Sequence, residues 1–114
     1  MIWARRTIAC ACCGYVGLAG RGDYEICRIC FWEDDPFQFA DPTSGGGANP
    51  PSLVEAQRSY AEHGVSELRF ASNVRKVRWT DRKDRAWRPF EDGDHVSTGT
   101  LAEFDGVPYW MRNR

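Results

Sequence analysis

All five cysteines of this chain lie between positions 10 and 30, and none occurs elsewhere. An odd number crowded into one segment makes a poor disulfide framework, because disulfides in small secreted domains usually staple distant stretches of chain. Cys10 with Cys13, and Cys27 with Cys30, instead form two C-x2-C pairs separated by thirteen residues. That is the spacing of a ribbon-type metal site. Two intervening residues let a tight turn aim both thiolates at one ion about 2.3 Å away. Gly14, directly after Cys13, permits the positive φ such a knuckle tends to need. The expected cofactor is Zn²⁺, held by Cys10, Cys13, Cys27 and Cys30, with Arg28 placed to offset the net charge of four thiolates and a divalent ion.

The residues between the pairs read as a hairpin: Tyr15 to Leu18 outward, Ala19 to Gly22 turning, Asp23 to Ile26 returning. Two other readings stand beside zinc. Buried free thiols are the plain one. Iron in a rubredoxin-like site is the other, since Cys13-Gly14-Tyr15 resembles one rubredoxin knuckle, but the thirteen-residue gap is short for that fold. Cys12 is left over. It would replace Cys13 only through a C-x-C loop with Cys10, and as a spare thiol it is the one nucleophile candidate. The only histidines are His63 and His95, neither near it in sequence.

At 114 residues and 42% apolar content the chain has the size of one domain, 1–114, with one modest core. Fifteen basic against sixteen acidic residues give a net charge of −1, which disfavours a globally basic nucleic-acid binder. Thirteen of the fifteen basic residues are Arg, suited to forked contacts with carboxylates or phosphates. No run approaches the roughly 20 apolar residues that span a bilayer. Arg5-Arg6 and the uncharged stretch behind them look superficially like a signal peptide, but cleavage near Gly20 would discard half the metal site. A reducing, cytoplasmic setting is expected, with no membrane partner.

Cys10-Ala11-Cys12-Cys13-Gly14-Tyr15 and the stretch Tyr24 to Asp35, with Gly46 to Asn49 and Ser52 to Gln57, resemble the bacterial cysteine-rich CPCC family over residues 10–80. Ala11 and Arg28 stand where the family carries or commonly has Pro, which relaxes the knuckle backbones without removing a ligand. The family is largely uncharacterised. Its members resemble genes that sit near polymorphic toxins, and the resemblance therefore implies an immunity or accessory role.

Phe31 to Phe39 interleaves four aromatics with Glu33, Asp34 and Asp35. These residues either fill the small core around the metal or form an acidic, aromatic-anchored face for a basic protein partner, with Trp32, Glu33, Asp34 and Asp35 as the contact set. Asp41 to Pro51 reads as a flexible glycine-rich connector, without the Lys-Ser/Thr of a phosphate loop. It feeds a helix opened by a Ser52/Glu55 capping box and stopped at Gly64, with Leu53, Ala56, Tyr60 and Ala61 on its inner face and His63 at its last turn.

Residues 75–88 carry a charge of +5 with Trp79 and Trp87 interleaved. Arg75, Lys76, Arg78, Arg82, Lys83 and Arg85 are the candidate nucleic-acid contacts, the plain reading being an exposed strand and turn. Val96 to Trp110 reads as a terminal hairpin about Asp105-Gly106. The fold expected is α+β: a zinc-ribbon hairpin (1–40), a glycine-rich loop and packed helix (41–64), then a strand region and C-terminal hairpin (65–114). The function expected is non-catalytic binding of a protein, with nucleic-acid binding and a Cys12 thiol enzyme as alternatives.

Overall fold

The computed structural model describes residues 5–94, so the hairpin expected over Val96 to Trp110 lies outside the described residues. Within them the α+β reading holds. Strand β1 (Ile8–Ala9) pairs antiparallel with β2 (Val16–Leu18), a short helix α1 (Pro36–Ala40) follows, and the main helix α2 (Leu53–His63) leads to a 3₁₀ turn at Leu68–Phe70.

Strand pairing differs from the expected hairpin. β2 pairs backward across the first C-x2-C with β1, and Ile26 pairs forward across the second with Glu33. Each cysteine pair reverses the chain by itself, so the immediate flanks of a knuckle become strand partners and the intervening segment connects two lobes. Glu25 still reaches across that connector to the Ala19 N–H (2.9 Å).

Helix α2 starts as its sequence dictates. Ser52 Oγ accepts the Glu55 N–H and Glu55 accepts the Ser52 N–H, each at 3.1 Å, and Gly64 ends the helix with φ 77°. Leu53 and Ala56 are buried as expected; Ala61 is exposed, and Gln57 takes an inner position instead.

The glycine-rich segment is not a flexible connector. Gln38, buried on α1, donates to the carbonyls of Ser44, Asn49 and Pro51 (3.0–3.1 Å) and accepts the Asn49 N–H. Asp35 caps α1 through Phe37 N–H (2.7 Å) and also accepts the Ala48 N–H (2.9 Å). A Cβ at Gly47 would lie 2.6 Å from that carboxylate, so glycine is required by close approach.

The strand region expected after residue 64 is also absent among the described residues, apart from one bridge between Lys83 and Tyr15. Turns close at Arg78–Asp81, Asp84–Trp87 and Glu91–Asp94. At each one an Asp side chain captures a nearby backbone N–H, offering the chain a local alternative to extension. Two of these turns repeat one device. Arg75 grips Asp81 with two hydrogen bonds (2.8 Å each), and Arg88 grips Asp94 in the same way (2.7 and 2.6 Å).

The core is small and centres on the cysteines: all five are buried with Leu18, Ile29, Trp32, Phe39, Leu53 and Ala56. No helix among the described residues is long and apolar enough to cross a membrane.

Candidate metal centre

The two C-x2-C segments fold alike. Cys10 N–H donates to the Tyr15 carbonyl (2.9 Å) and Gly14 N–H to the Cys10 carbonyl (2.8 Å). In the second segment Cys27 N–H donates to Trp32 and Phe31 N–H to Cys27, both at 2.9 Å. Each knuckle closes on a left-handed residue, Gly14 at φ 81° and Phe31 at φ 71°. A phenylalanine there costs about 1–2 kcal/mol of backbone strain; packing against Phe70, with ring centroids 4.5 Å apart, holds it in place. Ile29 sits in the second knuckle where Cys12 sits in the first, and both are buried.

This arrangement brings four sulfurs together. The Sγ atoms of Cys10, Cys13, Cys27 and Cys30 all lie within 4.8 Å of one another, with Cys10–Cys30 at 3.5 Å and Cys13–Cys27 at 3.8 Å. A tetrahedral centre with metal–sulfur bonds of about 2.3 Å has sulfur–sulfur edges of about 3.8 Å. The spacing fits, and all five thiols are free of disulfides. Ile29 N–H points at Cys27 Sγ from 3.4 Å, the backbone donor a knuckle offers a thiolate.

Burial pushes the Cys10 and Cys30 thiols well above their usual range, while hydrogen bonds from Cys10, Cys13 and Cys30 hold Cys27 far below it. Protons thus crowd around a single thiolate. A divalent cation at the centre would replace them and let four thiolates coexist. The donor set can hold a metal ion.

Residues 8–81 match the family model described as cysteine-rich CPCC, well over half of the chain. The chain belongs to the cysteine-rich CPCC family. Among curated proteins none matches it significantly.

Around the CPCC knuckles the structure adds partners the sequence reading missed. The Ala11 carbonyl, inside the first knuckle, accepts both Gln57 Nε2 and Trp87 Nε1 at 2.9 Å. Trp87 lies directly over Gly14, where a Cβ would meet its ring at 2.5 Å. Lys83 Nζ stands 4.7 Å above the same ring and 5.4 Å from that of Tyr15. Gln57 was detectable as the polar residue between Leu53 and Tyr60 on the inner stripe of α2; nothing local marks Trp87.

The acidic contact face expected of Trp32, Glu33, Asp34 and Asp35 is not available. Trp32, Asp34 and Asp35 are buried, and only Glu33 is partly exposed. Trp32 and Phe39 fill the CPCC core. Asp34 accepts the Gly22 N–H (2.6 Å) and pairs with Arg21, and Asp35 holds α1 and the glycine loop. Burial pushes the Asp34 carboxyl up, opposed by the Arg21 charge and the Gly22 N–H. These acids brace the second lobe from within. Phe37, by contrast, is 60% exposed.

Of the basic candidates, Arg75 is held by Asp81, which is correspondingly kept far below the usual carboxylate range. Lys76, Arg78, Arg82, Lys83 and Arg85 are exposed. Cys12 is fully buried, which fits the spare thiol as a spectator better than the alternative of a nucleophile, and His63 lies 3.4 Å from the Glu62 carboxylate on the surface.

Proposed function

We propose that this protein is a non-catalytic binding module folded around one structural zinc ion. The observation that carries this reading is the closed donor set: four buried sulfurs at tetrahedral spacing, two from each of two like knuckles. Four thiolates leave no open coordination position for water or substrate, and tetrathiolate sites of this kind supply folding energy. Zinc is favoured over iron by the short connector between knuckles. The protein then acts through its surface. A protein partner, and an immunity or accessory role beside a toxin, would use that surface and not the metal.

Purified protein should contain one zinc per chain, without the visible absorption of an iron–thiolate centre. Chelation, or Cys27→Ser, should remove the metal and abolish cooperative unfolding. A Cys27→Ser protein that keeps full zinc and its unfolding midpoint would end the assignment; a coloured protein carrying iron would replace zinc as the ion.

A further inference from the structure

We propose that the face built by residues 75–85 on the first knuckle is a binding groove for a single-stranded nucleic acid, with Trp79 as its stacking platform. The inference rests on the reading of the protein as a zinc-folded binding module, because the groove is assembled on a cysteine knuckle.

Backbone pairing fixes the basic segment. Val16 N–H donates to the Arg82 carbonyl and Asp84 N–H to the Gly14 carbonyl, both at 2.9 Å. Two clefts adjoin along this seam and share Val16 as a wall. The larger, of about 660 Å³, presents Arg82, Lys83 and Arg85. The smaller, of about 210 Å³, presents Arg6, Arg28, Arg75 and Arg78 beside Tyr15. The chain neutralises some of these cations and not others. Arg6 is paired with Glu25 and Arg75 with Asp81, whereas Arg28, Arg78, Arg82, Lys83 and Arg85 meet no carboxylate at ion-pair distance among the described residues. Seven cations thus face Glu25, Asp81, Asp84 and a tetrathiolate zinc of charge −2, and positive charge remains in excess. An anion spanning several ångströms is the complementary ligand.

Trp79 narrows the class. It occupies the centre of the Arg78–Asp81 turn, which is closed by Asp81 N–H to the Arg78 carbonyl (2.9 Å) and by Arg78 N–H to the Asp81 carboxylate (2.6 Å). Its side chain is 95% exposed, so it contributes nothing to the core. A tryptophan carried into water on a hydrogen-bonded turn, next in sequence to Arg78 of the smaller cleft, offers a π face to an unstacked base while the cations take flanking phosphates. Duplex bases are already stacked and cannot use it. An acidic polypeptide would satisfy the charges and leave the ring without a role.

The test is fluorescence anisotropy of labelled oligo-dT and oligo-U against the full-length protein, with a hairpin duplex and poly-glutamate as comparisons. Single strands should bind more tightly than either. Trp79→Ala should weaken them roughly ten- to hundred-fold. The triple change Arg82→Ala, Lys83→Ala, Arg85→Ala should lower the salt slope by about two units, near 0.7 per phosphate contact. Arg58→Ala, on the exposed side of α2, should change nothing. Poly-glutamate binding as tightly as oligo-dT, or Trp79→Ala without effect, overturns the proposal. So does the absence of single-strand binding at low salt. Zinc content and circular dichroism are measured on each sample, and the titration is read on folded chain whatever its metal content. Failure of the zinc reading and failure of the groove are thereby told apart.

Discussion

A Cβ added at Gly14 would lie 2.5 Å from the Trp87 ring, on a backbone whose φ is +81°. Gly64 has nearly the same conformation, φ +77°, but open space around it. The pair separates strain from crowding. Gly64→Ala should cost about 1 kcal/mol, the left-handed penalty alone. Gly14→Ala should cost about 3 kcal/mol, since the ring must also shift and its indole hydrogen bond to Ala11 weaken. Denaturant unfolding of the two variants at matched metal content measures both; equal costs would mean that Trp87 is not seated on the knuckle. The four clustered cysteines were legible in the sequence because C-x2-C is a local constraint, complete within four residues. So was Gly14. Its lid was not, because Trp87 reaches Ala11 from 76 positions away and no period or motif encodes that contact. Cys12 was ambiguous for a related reason: its sequence neighbours gave no sign that it occupies a buried position matched by Ile29 in the second knuckle.

At the scale of elements, local signals were reliable where the element closes on itself. Helix α2 carries its start in Ser52 and Glu55 and its stop in Gly64, all within one turn of its ends. Pairing was harder. The segment between the knuckles suggested one hairpin, yet the pairing falls outside it, as the β1–β2 hairpin across the first knuckle and a single Ile26–Glu33 bridge across the second, since each knuckle fixes its own flanks as partners. The order of the glycine loop is not legible in its own residues because it comes from Asp35 and Gln38, side chains outside the loop. Asn49 shows how tightly that loop is tied. Its side chain copies a neighbouring strand, accepting the Glu33 N–H (3.0 Å) and donating to the Glu33 carbonyl (2.9 Å) and to Gln38 Oε1 (2.9 Å). Asn49→Ala should therefore cost about 2–4 kcal/mol, as buried partners are left short of hydrogen bonds. Hydrogen exchange at the Glu33 amide should quicken with it. Thr43→Ala, which removes only an exposed bond to Asp41, should cost well under 1 kcal/mol. Similar losses at the two positions would show that the loop adds little to the fold.

Across the whole molecule, Arg21 does for charge what the metal would do for sulfur. It leaves the connector, pairs with buried Asp34 of the second lobe, donates to the Ala9 carbonyl of the first, and lies 4.3 Å over the Phe39 ring. The two lobes are thus joined by a side-chain bridge as well as by the cysteine cluster. Burial raises the Asp34 carboxyl despite this bridge. A carboxyl whose folded pKa is raised binds its proton more tightly in the folded chain than in the unfolded one. Its contribution to stability is therefore most favourable at low pH and falls as pH climbs from the ordinary carboxylate range through the folded value. Arg21→Gln removes the charge that restrains this rise, moving the folded value higher and extending the loss toward neutrality. The variant should be less stable than the wild type by about 3 kcal/mol near pH 7, because a buried carboxylate has lost its partner. The deficit should narrow as pH falls through the raised folded value, where Asp34 takes up a proton and no longer needs a charged partner. Zinc content is measured at every pH, so that proton competition for the thiolates is not mistaken for this effect. Arg69→Gln, which breaks an exposed pair with Glu67, should show no such pH-dependent deficit. If the Arg21→Gln deficit stays constant as pH falls from about 7 into the ordinary carboxylate range, Arg21 joins the lobes through the Ala9 carbonyl and the Phe39 ring alone, and the charge on Asp34 has no part in it.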